Sequence, residues 1–317
     1  MRLSEYYHLA VEEAMKVDPR RGAELEMVLK RARKSFDRLD AAGKERFDAD
    51  ALWNPYADSR VLYGDLEADV STVLWGIDIT AAEVLIADRL REKGRGIDAI
   101  LGHHPRGRAQ ASLHKVMPVQ ETMMESWGVP INAAECILGP RMHEVMCAHH
   151  PMNHGQVVDA CRLLDLPFMC LHQPCDLLGQ DFMQRYLDEE APDRVSDLLE
   201  ALSRVPEYAH AICECNPPEV FVGGEDRRAG RVVAKFAGGT ALPKEAYEQL
   251  ARAGVGTVVC MHMPESHVEE ARKHRLNVVV ASHMASDSLG VNLLADKFEE
   301  EGLSIIPCSG FTRVRRN

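Results

Sequence analysis

The chain has 317 residues and a net charge of −12, with 37 Lys and Arg against 49 Asp and Glu. Because its one basic cluster, residues 313–316, is short, we predict no direct contact with nucleic acid. No run approaches the roughly 18 apolar residues of a membrane span, and the first residues lack the order of a signal peptide. We therefore expect a cytoplasmic protein without membrane contact, and its length favours two lobes.

The first half of the chain predicts helices followed by a parallel sheet. Residues 1–48 place apolar side chains at helical spacing and predict two amphipathic helices. A strand at 73–78, a helix at 81–93 and a strand at 97–102 then form one βαβ unit. Ligand sites in such sheets lie beyond the carboxyl ends of the strands.

The remaining chain continues the alternation. It predicts mostly helical structure at 119–165, a strand at 167–172, helices at 176–188, 195–202, 244–253, 265–273 and 287–301, and strands at 219–222, 231–236, 257–261, 277–281 and 303–307. We predict an α/β fold of two lobes with mixed or mostly parallel sheets and a metal cleft between them. The expected divisions are a helical extension at 1–48, a metal-binding lobe at 49–190 plus 280–317, and a second lobe at 191–279.

Histidines and carboxylates recur where predicted strands end. His103 and His104 follow one strand, and the pairs His172 with Asp176 and His283 with Asp287 follow two others. A lone histidine is more often structural, but three such strand ends at one sheet edge indicate a metal site. Imidazole and carboxylate together suit zinc, iron, manganese, cobalt or nickel. Asp287 could also act as a helix N-cap, and the two roles are compatible.

A second histidine pair competes for this role. His149-His150-Pro151 repeats the sequence of His103-His104-Pro105, and His150 and His154 have the spacing of helical zinc ligands. However, Pro151 interrupts that turn and no predicted strand precedes the pair. We therefore favour a loop between helices at that position.

The three strand-end motifs resemble a known family. Gly102-His-His-Pro105, His172-Gln-Pro-Cys-Asp176 and His283-Met-Ala-Ser-Asp287 are similar, in the same order, to motifs of the Nif-three-like dinuclear metal proteins, often labelled GTP cyclohydrolase 1 type 2 homologues. The similarity runs from about Trp53 to the C-terminus. It differs in having Asp287 where the family usually has Glu, a thiol at Cys175, and an apparent helical insertion near 130–165.

The resemblance implies a site for two divalent metal ions. The expected ligands are His103, His104, Asp176, His283 and Asp287. Asp176 is the predicted bridging carboxylate, and His172 is expected to be a base beside the metals or an additional ligand. Asp78, His262 and His267 are the candidate side chains for lining the substrate cleft.

Two functions are compatible with this resemblance. One is a metal-dependent hydrolase of a small molecule, with a nucleotide-type compound as a candidate substrate. The other is a non-enzymatic regulatory or scaffold protein that binds metal. An incomplete ligand set favours the hydrolase, because catalytic metal ions keep an open coordination position. The resemblance also implies a homo-oligomer, with a hexamer as the expected assembly.

Overall fold

The computed structural model describes residues 1–316 and has fourteen α-helices within them. The helices are α1 (Leu3–Val17), α2 (Ala23–Asp37), α3 (Ala41–Arg46), α4 (Ala81–Glu92), α5 (Gly107–Ala111), α6 (Val119–Ser126), α7 (Ile131–His149), α8 (Gln156–Leu163), α9 (Gln173–Glu190), α10 (Val195–Ser203), α11 (Pro206–Cys213), α12 (Ala246–Arg252), α13 (Glu265–Lys273) and α14 (His283–Glu300).

Nine strands over the same residues form two sheets. The strands are β1 (Arg60–Tyr63), β2 (Thr72–Gly76), β3 (Ala99–Gly102), β4 (Phe168–Cys170), β5 (Glu219–Val222), β6 (Arg231–Lys235), β7 (Val255–Cys260), β8 (Asn277–Val280) and β9 (Ser304–Cys308). The first sheet has the order β1-β4-β3-β2-β9 and the second β5-β8-β7-β6. This confirms the predicted α/β fold with two lobes.

Each sheet is parallel except for one antiparallel edge strand. In the first sheet β2, β3, β4 and β9 run parallel, while β1 pairs with β4 in the opposite direction. In the second sheet β6, β7 and β8 run parallel and β5 is the antiparallel edge. Since β9 returns beside β2, the end of the chain completes the first sheet.

The N-terminal helices differ in how they pack. Helix α1 buries Leu3, Tyr6 and Val11 in the main core, and the ring of Tyr6 lies 4.9 Å from that of Phe298 in α14. Helix α2 buries only Leu25. Helix α1 is therefore part of the core, whereas α2 lies on the surface. The lobe boundaries predicted from the sequence stay a prediction.

Helices α9 and α14 pack closely against each other, and both begin at the cleft. The backbones approach so closely that a Cβ atom at Gly290 would lie 2.3 Å from the carbonyl oxygen of Cys175. Asp176 and Asp287 lie near the starts of these two helices. The helix contact therefore fixes the position of one carboxylate relative to the other.

Among residues 1–316, no helix has the length and apolar character needed to cross a membrane.

Candidate metal centre

The first sheet brings its histidines to the carboxyl ends of neighbouring strands. Strand β3 ends at Gly102, directly before His103 and His104. Strand β4 ends at Cys170, and His172 occupies the N-cap position of α9. Because β3 and β4 are paired in parallel, these three side chains lie at the same sheet edge.

The second sheet contributes ligands through the start of α14. Strand β8 ends at Val280, and Ser282 has a φ of 61°, a backbone conformation that non-glycine residues seldom adopt. His283 is the first residue of α14, and Asp287 follows one turn later on the same helix face. Asp287 is therefore in the second turn rather than at the N-cap, which Ser282 occupies.

One group of ligand atoms surrounds one oxygen of Asp287. Its Oδ2 lies 3.3 Å from Nε2 of His104 and 3.5 Å from Nε2 of His283. The ligand atoms of these three residues all lie within 4.8 Å of one another. They can therefore surround a single metal ion.

A second group surrounds the other oxygen of Asp287. Nε2 of His103 lies 3.4 Å from Oδ1 of Asp176 and 3.6 Å from Oδ1 of Asp287. These ligand atoms again lie within 4.8 Å of one another, as do those of His103, His104 and His172. Asp287 is thus common to two candidate metal positions.

Three histidines are oriented by an acceptor at Nδ1. The Nδ1 of His103 donates to the carbonyl of Leu171 at 3.2 Å, and that of His104 to Asp78 at 3.0 Å. The Nδ1 of His172 donates to Asp58 at 2.8 Å. With the proton on Nδ1, each Nε2 keeps a free lone pair, which is the arrangement a metal ligand requires.

Buried polar atoms without hydrogen-bond partners indicate whether this group of side chains could hold a metal ion. Within the described residues, Nε2 of His103, Oδ1 of Asp176 and both carboxylate oxygens of Asp287 are buried and accept or donate no hydrogen bond. Such atoms normally find partners, because leaving them unsatisfied costs free energy. Their convergence on one point fits divalent metal ions.

The same groups perturb one another's protonation. Burial would lower the pKa of His103, but the carboxylates of Asp287 and Asp176 raise it well above its usual value. Burial would raise the pKa of Asp287, yet His103, His104 and His283 lower it. A divalent ion would supply the positive charge that these carboxylates favour, and its binding to Nε2 requires that nitrogen to be unprotonated.

The site opens into a cleft of about 220 Å³ between the two sheets. Beside the candidate ligands, the first lobe contributes Asp78 and Arg106. The second lobe contributes Lys235, Phe236, Thr240, Leu242, Tyr247, Val258 and His262. A small molecule in this cleft would contact both the metal site and a mixture of apolar and polar side chains from the second lobe.

The structure brings together most of the residues predicted from the sequence. The five predicted ligands and His172 converge on the site. Asp78 and His262 line the cleft, and the ring of His262 lies 4.8 Å from that of His283. His267 does not line it, because α13 places this buried side chain against Tyr247, 5.8 Å away between ring centroids.

The second His-His-Pro sequence lies apart from the metal centre. His149 is the last residue of α7 and lines the cleft, whereas His150 is exposed. Neither belongs to a group of candidate ligands among residues 1–316. The sequence predicted a loop for His149 and His150. The prediction is correct only from His150 onward, because His149 is the last residue of α7.

Two residues near the centre were not predicted. Asp58 is completely buried and holds His172, and Lys235 lies at the carboxyl end of β6 with only 5% of its surface exposed. Asp58-Ser59-Arg60, a run of three polar residues before a strand, was the one available signal for the former. The signal for Lys235 was its position as a lysine at the end of an otherwise largely apolar strand.

Comparisons with known proteins identify structural relatives. A NIF3 superfamily protein from Sphaerobacter thermophilus is 30% identical, with a TM-score of 0.69 over 80% of this chain and 91% of that one. Reduced HcgD from Methanocaldococcus jannaschii is 14% identical, with a TM-score of 0.49 over 84% and 94% of the two chains. The protein TTHA1606 from Thermus thermophilus is 16% identical, with a TM-score of 0.46 over 92% and 98%.

No protein-family model matches the chain, and no curated protein matches it either. The similarity to the Sphaerobacter protein extends over four-fifths of this chain and includes its α/β fold. The order of strand-end motifs predicted the same relationship from the sequence alone. The groups of His and Asp residues fit a metal-binding protein of this type. The chain belongs to the NIF3 superfamily.

Proposed function

We propose that this protein is a dinuclear metal-dependent hydrolase of a small molecule. The observation that carries the proposal is the position of Asp287, whose two oxygens face two different groups of ligands. His104 and His283 would hold one ion, and His103 and Asp176 the other. The ions would be Zn, Fe, Mn, Co or Ni, as this donor set suits.

This assignment revises the predicted bridge. Asp176 was expected between the ions, whereas the distances favour Asp287 in that position. Asp176 directs Oδ1 towards His103 and has Oδ2 3.7 Å from Nε2 of His172. It would therefore act as a terminal ligand that also contacts the candidate base.

Two ions, when bound, would activate a water molecule and stabilise the negative charge that develops on the substrate. The chain's own residues would orient the reacting groups. His172 is fixed by Asp58, so its Nε2 can accept a proton at the cleft or serve as a further ligand. Five or six ligands for two ions leave open positions, which supports a catalytic role over a purely structural one.

The substrate would be a phosphorylated or cyclic amide compound. The resemblance to GTP cyclohydrolase 1 type 2 homologues makes a nucleotide-type compound one candidate. The expected homo-oligomer, with a hexamer as the favoured state, and the cytoplasmic location stay predictions. Light scattering is the measurement that decides the assembly, and a monomer near 35 kDa would contradict it.

The test is metal analysis of protein purified without chelator. We expect about two ions per chain for the wild type and one or fewer for the His103→Ala/His104→Ala variant, because ions that share a ligand are lost together. The His149→Ala/His150→Ala variant is the matched control and should keep both ions. If the control pair alone governed metal content, the assigned site would be wrong.

The same preparation, reloaded with the ion that is found, should hydrolyse a member of a phosphate-ester and cyclic-amide panel. Asp176→Asn should abolish turnover while circular dichroism stays unchanged, because the amide is a poorer ligand than a carboxylate. Should no compound be turned over faster than by the Asn variant, the non-enzymatic metal-binding role would replace the hydrolase.

A further inference from the structure

Lys235 is a buried cation in the lining of the cleft that contains the candidate metal centre. It ends β6, is 5% exposed and lines the cleft. Its Nζ donates to the carbonyls of Ala237 and Thr240 at 2.7 and 2.9 Å. An ammonium group has three N–H donors, so these two bonds leave one donor available.

The loop that holds this ammonium group is itself fixed. Gly238 and Gly239 have φ angles of +100° and +76°, and a Cβ atom at Gly238 would lie 2.5 Å from the side chain of Gln120. Gln120 Nε2 donates to the carbonyls of Gly238 and Thr240, and the Gly238 amide donates to Gln173. Helices of the first lobe therefore hold this loop, including the Thr240 carbonyl that accepts from Lys235.

Among residues 1–316, no carboxylate forms an ion pair with Lys235 within 4.0 Å, although that of Asp176 is near enough to act on it. Burial lowers the pKa of Lys235 to about 8, while Asp176 on α9 and Cys260 on β7 oppose this effect. An anion beside Nζ would favour the protonated form of Lys235. Burying a cation without an anionic partner costs free energy. The Thr240 carbonyl compensates for this only in part, because it also accepts a hydrogen bond from the neutral side chain of Gln120.

The charges around the cleft indicate which kind of group could pair with Lys235. Asp78 is paired with Arg106 at 3.1 Å, and Asp176 and Asp287 face the candidate metal positions. Two divalent ions would outweigh the charge of those two carboxylates, and Lys235 would add to the positive charge of the cleft. The apolar side chains of Phe236, Leu242 and Val258 line the same cleft, and apolar surroundings strengthen the attraction of a cation to an anion.

We propose that Lys235 binds an oxyanion of the substrate, a carboxylate or a phosphate, while the metal centre holds the part of the molecule that reacts. The inference about Lys235 rests on the proposed function and specifies the class of substrate, which would be a small anionic molecule. Lys235 would contact the substrate directly without ligating the metal ions.

Calorimetric titration of the Mn²⁺-loaded full-length chain with inorganic phosphate and with acetate tests the proposal. Lys235→Met should weaken binding of at least one anion by about tenfold or more, as expected for loss of one charge-assisted hydrogen bond. Lys235→Arg should restore most of the affinity because it keeps the charge. Lys244→Met, at an exposed lysine outside the cleft, should bind as the wild type does.

The two anions distinguish the two kinds of substrate group. Selective loss for phosphate would support a phosphorylated substrate, and selective loss for acetate a carboxylate. Equal binding by Lys235→Met and the wild type, loss in Lys235→Arg as large as in Lys235→Met, or no anion binding by the wild type would overturn the proposal. Metal content is measured in every variant, so loss of the metal site is recognised separately from loss of the anion contact.

Discussion

The orientation of individual imidazoles prepares this site for metal. Three different acceptors, the Leu171 carbonyl, Asp78 and Asp58, take the Nδ1 proton of His103, His104 and His172 respectively. This leaves every Nε2 directed towards the centre. Residues beyond the ligands therefore decide which nitrogen is available, and their replacement should affect metal binding.

Asp58→Asn is the sharpest change of this kind. The amide keeps the shape of the carboxylate, but its NH₂ group can turn to His172 and favour a proton on Nε2, facing the cleft. We expect metal affinity or turnover to fall by about 10- to 100-fold, the usual effect of removing such an orienting group. Chelator competition and a rate assay measure the two quantities.

The control for Asp58 is Asp37→Asn, at an exposed carboxylate at the end of α2. It removes the same charge from the chain without touching the site. If Asp58→Asn matched this control in both affinity and rate, the orienting role of Asp58 would be wrong.

The sequence predicted the residues that follow strands but not their partners across the sheet. His103 and His104 were recognisable because a buried strand leads directly to them. Asp58 was not, because it reaches His172 only through the antiparallel pairing of β1 with β4, in which Arg60 lies opposite Cys170. That pairing depends on contacts between distant segments, which local patterns do not encode.

At the scale of elements, two helices determine the separation of the carboxylates. Helices α9 and α14 meet where Gly290 faces the backbone of Cys175, the residue before Asp176. Gly179 lies on the same contact, since a Cβ atom there would be 3.3 Å from the Cα of Gly290. Any larger side chain at Gly290 must push the helix starts apart.

Gly290→Ala should therefore damage both stability and the metal site. Alanine favours helix by about 1 kcal/mol over glycine, but the contact with a backbone carbonyl cannot relax through side-chain rotation. We expect a net loss of about 1–3 kcal/mol in the free energy of unfolding, with weaker metal binding. Urea unfolding and chelator competition provide the measurements.

Gly96→Ala serves as the control for the same substitution. Gly96 is exposed, has no positive φ, and a Cβ atom there would meet nothing within 4 Å. If Gly290→Ala and Gly96→Ala had the same free energy of unfolding, the close contact between α9 and α14 would not constrain the two helices.

Several elements differ from the sequence prediction for physical reasons. Strand β1 has only four residues and lies at a sheet edge, so it shows too little alternation to be recognised. Helix α14 was expected to begin at residue 287 but begins at His283, because the positive φ of Ser282 turns the chain directly from β8 into the helix. The main parallel strands were predicted well, since each is a continuous buried run.

At the scale of the whole molecule, the candidate metal centre connects the two sheets. His103, His104 and Asp176 follow strands of the first sheet, whereas His283 and Asp287 follow β8 of the second. Bound ions would thus link segments that are far apart in sequence. Within residues 1–316, the site also buries carboxylate oxygens that have no hydrogen-bond partner, and a bound ion would satisfy them.

Metal loading should therefore stabilise the whole fold. Ions that bind only the folded chain contribute about 4 kcal/mol when their free concentration is a thousandfold above Kd. Each kcal/mol raises the unfolding midpoint of a domain of this order of size by roughly 2–4 °C, so we expect a difference near 10 °C between Mn²⁺-loaded and EDTA-treated protein. The His103→Ala/His104→Ala variant should show little difference, and His149→Ala/His150→Ala should behave as the wild type. Scanning calorimetry measures all three, and equal midpoints for loaded and EDTA-treated wild type would contradict the link between the lobes.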